Sequence, residues 1–116
     1  SRHSIHLQRM LDDLLDISRV TEGAIDLKRE RCDLQRLLEE LLADMRHDAE
    51  QRGVSIRLEQ APGAYAVFGD PIRLRQVFTN LISNALKASP QGTCIVVGLS
   101  RASAEICEVA VSDQGA

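Results

Sequence analysis

Aromatic residues are scarce in this chain: 3% of the total, with no Trp and one Tyr. The core must therefore be assembled from Leu, Ile, Val and Ala, and at 116 residues it is a modest one that suffers if a neighbouring element is lost. A basic excess is also missing. Fourteen Lys and Arg stand against seventeen Asp and Glu, a formal net charge of −3, which leaves no electrostatic footprint for nucleic acid. Cysteine is limited to Cys32, Cys94 and Cys107, with no close pair. An odd count at such spacing argues against a disulfide framework and a zinc site, and it suits a reducing, cytoplasmic setting. Cys94 and Cys107 lie in apolar strand-like runs and are expected as small buried hydrophobes. No signal peptide and no apolar run of bilayer-spanning length is present, so no transmembrane segment is expected here, although a longer parent could be a membrane-bound receptor. Length predicts one domain, alone or with an appended element.

What is present centres on Asp70 to Ser89, reading D-P-I-R-L-R-Q-V-F-T-N-L-I-S-N-A-L-K-A-S. Asp70 suits an N-cap and Pro71 the first helical position, where a missing N–H costs nothing. Ser89-Pro90 and Gly92 end the helix, since proline cannot continue it and disfavours helical geometry just before itself. Ile72, Val77, Phe78, Leu81, Ile82, Ala85 and Leu86 recur at helical spacing. At about 100° per residue, Arg73, Gln76, Asn80, Asn84 and Lys87 share an arc of roughly 80°. A solvated face is the ordinary explanation of such a stripe. Two asparagines one turn apart are nonetheless costly in a helix, because Asn is a mediocre helix former. Two amides and a lysine could hold a metal ion by carbonyl oxygens and a phosphate by an ammonium.

The rest of the chain frames this helix. Ser1 to about Thr21 reads as an amphipathic helix, with Leu7, Leu11 and Leu14 on a heptad-like seam widened by Met10, Leu15 and Ile17. Glu22-Gly23 breaks it. Ala24 to Arg29 resembles a short edge strand. Asp33 caps a second long helix, carried by Leu34, Leu37, Leu38, Leu41, Leu42 and Met45 and stopped by Gly53 as a left-handed terminator. Val54–Gln60 alternates as a strand, Ala61-Pro62-Gly63 turns, and Tyr65–Gly69 is a short extended piece. Thr93–Arg101 and Glu105–Ser112 form a hairpin, after which an open β edge would invite pairing with another chain. Helices interleaved with a mixed or largely antiparallel sheet predict an α/β fold, specifically a two-layer sandwich.

The central stretch D-x-x-R-L-x-Q-V-x-x-N-L-I-x-N-A-x-K resembles the N box of sensor histidine kinases of two-component systems, in the GHKL ATPase superfamily. Nearly every expected position is filled in order. L-D-D-L-L-D-I-S-R-V-T-E-G-A-I-D-L is similar to the end of the second helix of a dimerisation and phosphotransfer hairpin plus its linker, as in hybrid-type kinases. The terminal V-A-V-S-D-Q-G-A resembles the start of a G1 box. The resemblance implies residues 1–22 as part of the dimerisation domain and residues 23–116 as the N-terminal part of a GHKL, or Bergerat, ATP-binding catalytic domain, cut within the G1 box.

The resemblance also implies roles. Asn84 would ligate magnesium through its side-chain oxygen, and Asn80 would contact nucleotide or complete the metal shell. Lys87 would face the phosphates of ATP. Asp113 would accept a hydrogen bond from the exocyclic amine of adenine, and Gly115 would let the backbone approach the base. Arg73 and Gln76 sit further back on the stripe, and Asp70 is better read as a cap. No catalytic residue is assigned, because none of His3, His6 and His47 has the sequence context of a phosphoacceptor; each is expected as an exposed helix histidine. F box, lid, final strand and acceptor helix are all absent from the sequence. The implied function is an ATP-dependent protein histidine kinase that acts as a homodimer through the N-terminal helix, phosphorylates its own histidine and signals to a response-regulator receiver. This piece alone is expected to be inactive, since phosphoryl transfer needs charge neutralisation from several sides. Two alternatives stand: a non-catalytic kinase-like interaction module, and, more weakly, a chaperone- or topoisomerase-type GHKL ATPase.

Overall fold

The computed structural model describes residues 2–8 and 29–114. Within them the chain runs β1 (Arg2–Gln8), β2 (Glu30–Asp33), α1 (Leu34–Gln51), β3 (Ser55–Gln60), β4 (Ala66–Gly69), α2 (Pro71–Ala88), β5 (Cys94–Arg101) and β6 (Ile106–Gln114). A four-stranded sheet has the order β1-β6-β5-β3, and β2 pairs with β4 in a separate two-stranded sheet.

Local chemistry sets both helices. Asp33 accepts hydrogen bonds from the backbone N–H of Gln35 at 3.1 Å and Arg36 at 3.4 Å, closing the first turn of α1. The other end passes into Gly53 at φ +71°, the left-handed conformation that glycine adopts without a Cβ penalty. Asp70 accepts from the Ile72 N–H at 3.0 Å, and Pro71 takes the first helical position of α2. At the far end the Ser89 hydroxyl donates to the Ala85 carbonyl at 2.7 Å.

Each helix buries one stripe. Leu34, Leu38, Leu41, Leu42 and Ala49 of α1 join Phe78, Ile82 and Leu86 of α2 in a single core cluster. The sheet supplies the alternate residues of its strands: Ile56, then Ile95, Val97 and Leu99, then Cys107, Val109 and Val111. Both helices therefore lie against one face of the sheet, giving the two-layer α/β sandwich. β3 and β5 pair in parallel, Ile56 opposite Ile95, which requires the intervening chain, α2 included, to cross over. β5 and β6 form the expected antiparallel hairpin, with Val97 opposite Val111.

One expectation fails within the described residues. Arg2–Gln8 is a β-strand, not the start of the N-terminal helix expected for residues 1–22, and it pairs antiparallel with β6 from Arg2↔Ser112 to Gln8↔Ile106. The physical reason lies at the sheet edge. β6 would leave a row of backbone donors and acceptors unpaired, and Ile5 and Leu7 alternate so that both pack against the core cluster. His3 and His6 are accordingly exposed strand residues, while His47 is an exposed residue of α1, as expected. The β6 edge expected to be open is covered by the chain's own β1. The remainder of the predicted helix and the predicted strand up to residue 28 lie outside the described residues. Cys107 and Cys32 are buried and Cys94 is half-buried, and all three are thiols.

Candidate nucleotide site

The register of the sheet decides what faces the helices. Asp113 stands opposite Ile95, and because Ile95, Val97 and Leu99 point into the core, Asp113 shares their face. On that face α2 packs along β6. A cavity of about 170 Å³ opens between them and is lined by both Asn84 and Asp113. Leu81, Ala85, Ala88 and Val111 form its apolar walls. The fold thus brings together two residues 29 positions apart in sequence that the resemblance assigned to one site.

The other expected residues are placed less directly. Asn80 and Lys87 are exposed on α2, one turn to either side of Asn84, and neither lines the cavity. Lys87 sits in the last turn, where its charge complements the negative end of the helix dipole. Arg73 lies 3.8 Å from Asp70 through its Nε, a contact that belongs to the helix start. Gly115 lies outside the described residues.

His3 is the cavity-lining residue that the helical reading missed. The available signal was a period of two: His3, Ile5 and Leu7 alternate with Arg2, Ser4 and His6. The second set faces the other side of the sheet, where Arg2 Nη2 donates to Glu108 Oε1 at 2.6 Å and His6 Nε2 lies 2.8 Å from Glu108 Oε2. The His6 hydrogen bond, aided by the Arg2 charge, holds the Glu108 carboxyl below its ordinary range despite the opposing effect of burial.

A larger opening of about 450 Å³ lies between β2 and the starts of both helices. Leu37 and the exposed Ile72 line it beside Arg36, Glu40 and Arg75. Asn80, Asn84, Lys87 and Asp113 do not line it. Cys32 borders it, with its thiol pushed up by burial and then by the charge of Glu30.

The donor set fits magnesium in one way only. Among the described residues, no group of three or more His, Cys, Asp or Glu is placed to hold a metal ion. An ion here would take amide and phosphate oxygens and keep several waters, which is how magnesium travels with nucleotides. Asn84 offers such an oxygen at the cavity rim, and Asn80 another on the same exposed stripe.

Residues 69–116 match the family described as histidine kinase-, DNA gyrase B-, and HSP90-like ATPase. The chain is 38% identical over 95 residues to a probable sensor protein PcoS of Escherichia coli, a stretch covering 82% of this chain and 20% of that protein. Among solved structures it is similar to a histidine kinase from Burkholderia phymatum STM815, with a TM-score of 0.67, 30% identity, and coverage of 90% of this chain and 48% of that one. It is also similar in fold to the histidine kinase ThkA in complex with the response regulator TrrA, with a TM-score of 0.58, 20% identity, and coverage of 75% of this chain and 27% of that one. The chain therefore spans about a fifth of the length of this curated relative.

Proposed function

We propose that the chain forms the adenine-nucleotide site of a sensor histidine kinase, since residues 69–116 match the histidine kinase-, DNA gyrase B-, and HSP90-like ATPase family and the fold is that of histidine kinase catalytic domains. The single observation supporting this reading is that Asn84 and Asp113 line one cavity. Asp113 would accept a hydrogen bond from the exocyclic amine of adenine, a choice that disfavours guanine, whose corresponding edge presents a carbonyl. Asn84, with Asn80, would hold magnesium by amide oxygens, and the ion when bound would neutralise phosphate charge. Lys87 would contribute a mobile positive charge near the phosphates. Gly115 would allow backbone approach to the base.

In the whole protein this site would serve autophosphorylation on a histidine, and the phosphoryl group would pass to an aspartate of a response-regulator receiver on the cytoplasmic side. The whole protein would act as a homodimer. No helix among the described residues is long and apolar enough to cross a membrane. None of its histidines stands in the sequence context of a phosphoacceptor, so the chain by itself would not autophosphorylate.

A second reading, a kinase-like interaction module, is favoured by one feature of the site. The cavity of about 170 Å³ is smaller than the ~300–1,000 Å³ of ordinary small-molecule sites. Calorimetric titration with ATP and magnesium separates the two. Saturable binding that weakens in Asn84→Ala supports the nucleotide site. Absence of binding at millimolar ATP by a folded chain leaves the module, and acid-labile phosphate on the chain would refute its inactivity.

A further inference from the structure

We propose that the outer edge of β2 is a docking groove for an extended peptide segment of a partner protein, which joins the β2–β4 sheet as a third strand and carries an acidic residue between two aliphatic ones. Among the described residues β2 pairs with β4 and with no other strand, so its second edge is open. The Leu34 N–H donates to the Tyr65 carbonyl at 2.9 Å, in continuation of the β2–β4 ladder. Antiparallel pairs alternate, so Cys32 and Glu30 take the hydrogen-bonded positions opposite Val67 and Gly69. The backbone N–H and C=O of Arg31 therefore point to the open edge.

The cavity of about 450 Å³ follows that edge. All four residues of β2 line it, and none of β4 does. A depression on one face of a strand would meet alternate residues, whereas one lined by four in succession runs along the edge. The facing wall comes from the first turns of α1 and α2, where Leu37 packs on the core cluster and Ile72 is 65% exposed. The volume lies within the ~300–1,000 Å³ of ordinary ligand sites.

Charge selects the occupant. Arg36 lies 3.7 Å from Glu40, Arg75 is bound to Asp44, and Asp33 accepts from the first turn of α1. Arg31 is exposed and has no ion pair among the described residues. Glu30 projects to the opposite side of the ribbon from Arg31, together with Cys32. An added strand alternates in the same way. Its residue opposite Arg31 meets a guanidinium, which favours Asp or Glu, and its two neighbours project to the Cys32 side, where Leu37 and Ile72 offer apolar surface. Backbone hydrogen bonds supply the affinity and the alternate side chains the selection.

The test follows the amide spectrum of the whole chain by NMR during titration with a capped pentapeptide, acetyl-Thr-Val-Glu-Val-Thr-amide. Saturable shifts and slowed exchange of the Arg31 amide are expected. The same peptide with Lys in place of Glu should bind roughly fivefold more weakly, as like charges meet across the strands. Arg31→Glu should reverse that preference, a swap that a merely structural loss would not produce. Methylation of the three central peptide nitrogens removes the ladder donors and should abolish binding. Undiminished binding of the methylated peptide overturns strand addition. Equal affinity for the Glu and Lys peptides overturns the assigned partner chemistry. Absence of shifts at millimolar peptide, with the chain folded, shows that this short charged edge repels strands and overturns the proposal outright.

Discussion

Replacing Glu108 with Gln should loosen β1 from the sheet without unfolding it. Glu108 accepts from Arg2 at 2.6 Å and lies 2.8 Å from His6. The side chains of Arg2 and His6 are more than half exposed, at 59% and 55%, so water screens both pairs. Exposed pairs of this kind contribute ~0.2–1 kcal/mol each, and together they should stabilise docking by roughly 0.5–2 kcal/mol. That predicts a rise of about 2- to 30-fold in the exchange rate of β1 amides, read by hydrogen–deuterium exchange. The amides of α1 should be unaffected. The pH dependence has a definite sign. Glu108 is held below its ordinary carboxylate range in the folded state. Its contribution is therefore fully present above the unfolded carboxylate pKa and lost as pH falls through the lowered folded value. The wild type should lose β1 protection in that acidic window after correction for intrinsic exchange, and Glu108→Gln should lack the step. Equal protection in both proteins at neutral pH would refute the reasoning, because the seven-residue backbone ladder alone would then hold the strand.

Three further outcomes are expected. Ile82→Ala removes a fully buried side chain on the core stripe of α2 and should destabilise by ~2–5 kcal/mol in chemical denaturation, with nucleotide affinity falling as α2 loosens. Gly53→Ala should cost roughly 1–2 kcal/mol, because φ is +71° and the new Cβ would run into the Gln91 side chain; Gly53→Asn should cost less, since Asn tolerates that conformation. The Cys32 thiol, raised by burial, should react slowly with a thiol reagent at neutral pH in the folded chain and rapidly once urea unfolds it.

The sequence made the helices legible because their limits are written locally. Asp33 and Gly53 bound α1, and Asp70-Pro71 and Ser89-Pro90 bound α2; each signal acts within a turn of itself. Strands β3 to β6 were legible through alternation and turn residues, to within one or two positions. β1 was not, because its conformation is decided by the edge of β6. Leu7 fits a heptad seam with Leu11 and Leu14 as well as it fits an alternation with Ile5, and only the distant edge breaks the tie. The site divides the same way. The stripe of Asn80, Asn84 and Lys87 follows from helical periodicity. The meeting of Asn84 with Asp113 depends on α2 crossing β6, which nothing local encodes and which the resemblance alone supplied. His3 entered the cavity through the strand that the helical reading had missed.

The β1–β6 ladder also bears on the order of assembly. Its Arg2↔Ser112 pair joins opposite ends of the chain, so the ladder closes the longest loop among the described residues. Closure entropy grows with loop length, and pairings of such separation are expected to form after the local α1 and β5–β6 contacts. The cavity acquires its His3 wall only at that final step. A ligand of that cavity would bind the finished chain in preference to any intermediate, and would draw folding to completion by mass action.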